Sequence, residues 1–95
     1  MNSSPPQPTL DFYRRESCDP CDQARLALQA VLEERVRRGD PIPHVRYRDV
    51  AESDKLEATF GARVPVIALG GDELSLILSE RSIAQFLDRV LGRAA

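Results

Sequence analysis

Two hydrophobic periodicities alternate along this chain, and their order predicts its architecture. Leu10-Asp11-Phe12-Tyr13 is a short apolar and aromatic run, closed by Arg14, Arg15 and a polar turn, which suits a buried strand. From Cys21 to Arg38 the apolar residues Ala24, Ala27, Leu28, Val31, Leu32 and Val36 recur in steps of three and four, giving a helix with one apolar face. Glu33 with Arg37 and Glu34 with Arg38 are spaced for i,i+4 ion pairs near its end, and Gly39-Asp40-Pro41 stops it. Val45, Tyr47 and Asp49 then alternate with Arg46, Arg48 and Val50, a period of two that predicts a strand nearer a sheet edge.

Asp54 and Glu57 have capping-box spacing, and Leu56, Phe60 and Gly61 bound a short second helix. Apolar runs at 64–69 and 74–78 flank Gly70-Gly71-Asp72-Glu73, a hairpin signature. Ile83, Phe86, Leu87, Val90 and Leu91 mark a last helical stripe, with Ser79 or Ser82 as N-cap and Gly92 as terminator. Strands joined through a helix run parallel with a right-handed crossover, whereas a tight hairpin is antiparallel. The expected fold is therefore α/β: a four-stranded mixed sheet, two parallel strands plus an antiparallel hairpin, flanked by about three helices. That is the layout of the minimal thioredoxin fold.

Ninety-five residues with 42% hydrophobic content suffice for one compact core and no second domain. Residues 1–8 read as a disordered leader, 9–92 as the domain and 93–95 as a tail. A formal net charge of -2 excludes a strongly basic surface, so neither nucleic acid nor an anionic membrane is expected as a partner. No apolar run approaches the ~18 residues of a membrane span. The first residues carry no basic, apolar secretory signal, and two cysteines alone do not make a disulfide-stapled scaffold; a reducing, cytoplasmic compartment is the expectation.

The two cysteines, Cys18 and Cys21, are spaced C-x-x-C at the start of the first helix. Unpaired N–H groups and the positive end of the macrodipole favour a thiolate there. Cys18 is accordingly the candidate nucleophile and Cys21 the resolving thiol. As an inert staple the pair would close so short a loop that the chain-entropy gain is only ~2 kcal/mol. A structural zinc site needs four ligands, and these cysteines with His44 do not supply them, so no metal is assigned within one chain. Asp19 puts a negative charge beside the nucleophile, which disfavours the thiolate and should make Cys18 less acidic. Val64-Pro65 stands at the start of an apolar strand, where a proline without an N–H is tolerated, and a cis bond there would leave the Val64 backbone free to pair with an extended substrate.

Residues 10 to 91 resemble the glutaredoxin-like branch of the thioredoxin superfamily. Tyr13-Arg14-Arg15-Glu16-Ser17-Cys18-Asp19-Pro20-Cys21 is similar to the glutaredoxin segment of Tyr, any residue, Lys or Arg, two polar residues and C-x-x-C. Arg63-Val64-Pro65-Val66 resembles the family's Thr-Val-Pro segment. The resemblance implies a thiol-disulfide oxidoreductase in which Arg15 lies near the thiolate and the substrate carboxylate, while Val64 and Pro65 line the substrate. It implies no tightly bound cofactor, with glutathione a candidate co-substrate, and protein disulfides or low-molecular-weight mixed disulfides as partners. Glutathione or a reductase would supply electrons. The chain departs from the family after the last strand, where Ser79-Glu80-Arg81-Ser82 stands in place of Gly-Gly, a polar residue and Asp. Two other functions compete with this one: a redox-sensing or binding module without turnover, and a metal or iron-sulfur carrier using cysteines shared between chains.

Overall fold

The computed structural model describes residues 7–76 and 78–94. Strand β1 (Thr9–Arg14) leads to helix α1 (Asp19–Arg38), strand β2 (His44–Asp49), a 3-10 turn (Val50–Glu52) and helix α2 (Asp54–Phe60). A second 3-10 turn (Gly61–Arg63) precedes strands β3 (Val66–Leu69) and β4 (Asp72–Ser75) and helix α3 (Glu80–Leu91). The sheet order is β2-β1-β3-β4, with β1 parallel to β2 and antiparallel to β3, and β3 antiparallel to β4. The expected mixed sheet and three helices are all present, and β2 is an edge strand.

Alternation along β1 and β3 divides the interior. Leu10 and Phe12 of β1 join Ile67 and Leu69 of β3 on one face, under Ala24, Leu28 and Val31 of α1 and Ile83, Phe86 and Leu87 of α3. Tyr13 and Val66 point to the other face and pack with Val50 and Phe60. The period-two rule for side chains assigns each of these residues to its face.

Four local expectations need correction. The second hairpin strand is Asp72–Ser75, not 74–78, because Gly70 and Gly71, at φ 60° and 86°, make a two-residue turn that sets Leu69 opposite Asp72. Such turns need left-handed backbone at both central positions, which glycine allows. Ile77 of the expected strand lies outside the described residues. Helix α2 is capped by Ser53, whose Oγ accepts the Leu56 N–H at 3.0 Å, so Asp54 is its first residue. Charge pairing at the end of α1 joins Glu34 to Arg37, and Arg38 turns to Asp40 instead of Glu34.

The fourth correction concerns the buried stripe of α1, which runs Cys21, Ala24, Leu28, Val31, Arg35. Steps of three, four, three and four follow the 3.6-residue turn, so position 35 and not 36 falls on it. Val36 is consequently exposed and a charged side chain takes the buried place. Its guanidinium donates from Nε to the Pro41 carbonyl at 2.7 Å, to Asp88 at 2.9 Å and to the Gly92 carbonyl at 2.5 Å. Every nitrogen thus has an acceptor, as burial demands.

Residues 1–6 of the expected leader and Ala95 of the tail lie outside the described residues. Gln7 donates to the Ile42 carbonyl, and the Pro8 carbonyl accepts the His44 N–H at 2.8 Å, extending the β1–β2 ladder. At the other end Arg93 pairs with Asp88, and the Ala94 N–H donates to Asp40 at 2.9 Å.

Candidate functional site

Strand β1 delivers the chain to a sharp turn. Ser17 adopts φ 53°, a left-handed conformation that redirects the backbone into Cys18, the N-cap of α1, at φ -119° and ψ 99°. The Cys18 Sγ accepts the Cys21 N–H at 3.2 Å, and the Cys18 carbonyl accepts the Asp22 N–H at 3.0 Å. Sulfur therefore occupies the position that a capping oxygen commonly fills, satisfying one of the orphan donors of the first turn. Cys18 and Cys21 are joined in a disulfide with their Cα atoms 5.2 Å apart. Cys18 is half-buried, whereas Cys21 is sealed at 1% exposure under the turn. Asp19 and Pro20 follow Cys18 on the exposed side, and a proline so early in the helix sacrifices no helical hydrogen bond.

The Val64–Pro65 segment reaches the same end of the sheet. Tyr13 pairs with Val66, so the residues preceding β3 lie beside the end of β1 from which the chain passes to Cys18. The Val64–Pro65 peptide bond is cis, Pro65 is buried, and Val64 packs against the Tyr13, Val50, Phe60 and Val66 cluster. The ladder continues one step beyond β4, with the Leu76 N–H donating to the Pro65 carbonyl at 3.3 Å.

Arg15 is tied to α2 and to the 3-10 turn that follows it. It meets Glu57 through two nitrogens, at 3.1 and 2.6 Å, and donates to the Gly61 carbonyl at 2.9 Å. A Cβ on Gly61 would press into the Glu57 carboxylate, so the small residue makes room for the pair. The hydrogen bond from Arg15 holds the Glu57 carboxyl below its ordinary value. Tyr13 stacks on Phe60 with ring centroids 3.9 Å apart, and burial, reinforced by Asp11, pushes its phenol above the ordinary value. Arg63 lies over the Phe60 ring and pairs with Glu73 at 3.1 Å.

Cys18, Cys21 and Asp19 thus share one turn, with Val64 and Pro65 at the same sheet end. Arg15 faces Glu57, a partner that sequence reasoning read only as a capping residue. Leu76 directly follows β4. It is exposed at φ 73°, and a cavity of about 290 Å³ lies between it, Leu78 and Ser79 on one wall and Pro20, Gln23 and Ala24 of α1 on the other. Neither this cavity nor the larger depressions along the α1–α3 and α1–β2 seams are lined by a cysteine. Among the described residues no group of three or more His, Cys, Asp or Glu side chains is arranged to hold a metal ion. No helix among them is long and apolar enough to cross a membrane.

Residues 9–91 match the glutaredoxin-like domain (DUF836) family. The X-ray structure of Northeast Structural Genomics target protein XcR50 from X. campestris is similar, with a TM-score of 0.70 and 27% identity over 84% of this chain and 96% of that one. A structure described as that of a malarial protein shares the fold at a TM-score of 0.65 and 12% identity, over 90% of this chain and 98% of that one. No curated protein matches the chain. The sheet order and these neighbours identify a thioredoxin-like α/β fold, and the cysteine pair in it fits a thiol redox module.

Proposed function

This chain belongs to the glutaredoxin-like domain family, and from that premise we propose that it is a thiol-disulfide oxidoreductase in which Cys18 is the nucleophile and Cys21 the resolving thiol. The observation that carries this reading is the Cys18 Sγ at the N-cap of α1, accepting the Cys21 N–H, with Cys21 buried directly behind it. A thiolate formed there keeps that hydrogen bond and meets the positive end of a twenty-residue helix.

The reaction moves two electrons. In the reduced protein the Cys18 thiolate attacks one sulfur of a substrate disulfide; that S–S bond breaks, the leaving thiolate takes up a proton, and a mixed disulfide forms on Cys18. The Cys21 thiolate, having given its proton to solvent, then attacks the Cys18 sulfur, releases the second substrate thiol and closes the Cys18–Cys21 disulfide. Glutathione or a reductase returns the two electrons. Val64 offers backbone groups beside the exchange, Pro65 shapes the wall, Arg15 attracts an anionic substrate when Glu57 is displaced, and Asp19 moderates the acidity of Cys18.

Trapping tests the assignment. Cys21→Ser should accumulate a mixed disulfide on Cys18, visible as a mass adduct lost on reduction, and Cys18→Ser should lose turnover of protein and low-molecular-weight mixed disulfides. Turnover retained in Cys18→Ser, or an adduct found on Cys21 in the wild type, would overturn the roles.

A further inference from the structure

An apolar patch lies on the α1–β2 seam, toward the opposite end of α1 from the disulfide. Val45 and Tyr47 of β2 pair in register with Leu10 and Phe12 and so share the sheet face that α1 covers. Tyr47 meets the Phe12 ring, with centroids 5.3 Å apart, and is still 49% exposed. Val36, which the buried stripe passes over in favour of Arg35, is 59% exposed. Together with Leu32 and Val45 they line an open depression of about 540 Å³. Arg46 and Arg48 alternate with these residues along β2 and are held by Asp11 and Glu52, so neither arginine covers the patch. A single exposed hydrophobic side chain is ordinary, whereas two large ones beside an apolar depression suit a surface that another molecule covers.

We infer that a second copy of this chain covers the patch, about a two-fold axis that runs the two α1 helices antiparallel. The charges on the rim carry the choice of a copy over another partner. Glu33 and Arg37, one acid and one base a helical turn apart, are both exposed and border the depression. A rim without net charge gives a strongly acidic or basic partner nothing to recognise. It is complementary to itself. An axis level with position 35 sets Glu33 of each copy opposite Arg37 of the other, and the symmetry makes that pair twice. The same alignment offsets the two Val36 side chains by only about 3 Å along the helices, so they meet at the centre, flanked by Leu32. A parallel alignment would bring each Glu33 level with its own counterpart. Glu33 accepts from Gln29 at 3.3 Å, and Arg37, which meets Glu34, has further N–H donors to give. About 25 Å of helix separates Val36 from Cys18, so both disulfides stay open to substrate in the dimer.

Sedimentation equilibrium of the full chain, with its disulfide formed, should show a reversible monomer–dimer equilibrium. Glu33→Arg replaces two opposite-charge pairs with two like-charge ones and should raise the dimer dissociation constant about tenfold; Arg37→Glu should do the same. The double variant, Glu33→Arg with Arg37→Glu, restores opposite charges across the axis and should return the constant to within about twofold of the wild type. Val36→Glu, which buries a carboxylate at the centre, should leave a monomer. All three positions are exposed in one copy, so each variant should keep the far-UV circular dichroism of the wild type. A wild type that is monomeric at every concentration would overturn the inference, as would a dimer indifferent to Val36→Glu. Single charge reversals that the double variant fails to rescue would overturn the antiparallel pairing on which the choice of partner rests. Disulfide exchange enters none of these measurements, so their outcome is independent of the reaction proposed above.

Discussion

Arg15 and Glu57, 42 residues apart in sequence, meet through paired N–H···O contacts at 3.1 and 2.6 Å, so the cation that precedes Cys18 already holds a carboxylate. The same guanidinium reaches the Gly61 carbonyl, which ties the turn before the disulfide to the end of α2. Any substrate carboxylate drawn to Arg15 must compete with Glu57 for a planar fork built to bind one carboxylate at a time.

Glu57→Gln should therefore sharpen the response to anionic substrates. The Michaelis constant for a glutathionylated peptide is expected to fall, by about fivefold at most, the scale of an exposed ion pair, while that for a mixed disulfide without a carboxylate stays constant. The pH sign follows from the depressed Glu57 carboxyl: pairing is complete above the ordinary carboxylate range and is lost as pH falls through the lowered value. Near neutrality the wild type should accordingly show no titration of this effect. Equal Michaelis constants for variant and wild type would detach Arg15 from substrate binding.

Asp19, exposed as the first residue of α1 and adjacent to Cys18, sets a negative charge against the helix terminus. In the reduced protein Asp19→Asn should lower the thiol titration midpoint of Cys18, because removing an adjacent like charge favours the thiolate. Thiolate absorbance followed against pH measures it. An unchanged midpoint would mean that solvent screens the carboxylate completely, and a raised one would overturn the sign of the effect.

Arg35 is fully buried and joins the end of α1 to Pro41, Asp88 and Gly92. Arg35→Lys keeps the charge but cannot reproduce a three-way fork, and a loss of about 2–3 kcal/mol is expected, lowering the melting temperature by roughly 10 °C or more. The hydrogen bond from Arg93, with further attraction from Arg35, holds the Asp88 carboxyl below its ordinary value; the Ala94 N–H does the same for Asp40. Groups depressed by folding stabilise above their unfolded values, so this corner should weaken as pH falls through the lowered ones. Thermal melts of the wild type between neutral and acid pH should show a steeper loss than those of Asp88→Asn. Parallel curves would remove Asp88 from the acid response.

Much of the candidate site's geometry was legible because it is local. Two cysteines one helical turn apart, after an aromatic strand and before an apolar stripe, place themselves at a helix start, and the Cys18 cap follows from that position alone. Val64-Pro65 was legible for a similar reason, since a proline lacks the N–H that a strand interior would use. Contacts across the fold were not legible. Glu57 reads locally as a capping residue, and Ser53 is an equally good cap one position earlier than the expected one; only packing decides that Ser53 caps and Glu57 reaches Arg15.

Hydrophobic spacing alone determined the order of strands and helices, the parallel and antiparallel joints and the edge position of β2, because burial of apolar faces admits few arrangements of such short elements. Tertiary structure decided what spacing cannot encode. Arg35 takes a stripe position that no count of apolar residues would assign it, since three acceptors converge there from distant segments. Leu76 belongs to the apolar run yet is exposed, since its backbone adopts φ 73° where β4 ends at Ser75. Hydrophobicity is a property each residue carries into the fold, whereas a partner for a charge or a direction for a side chain exists only once remote parts of the chain have met.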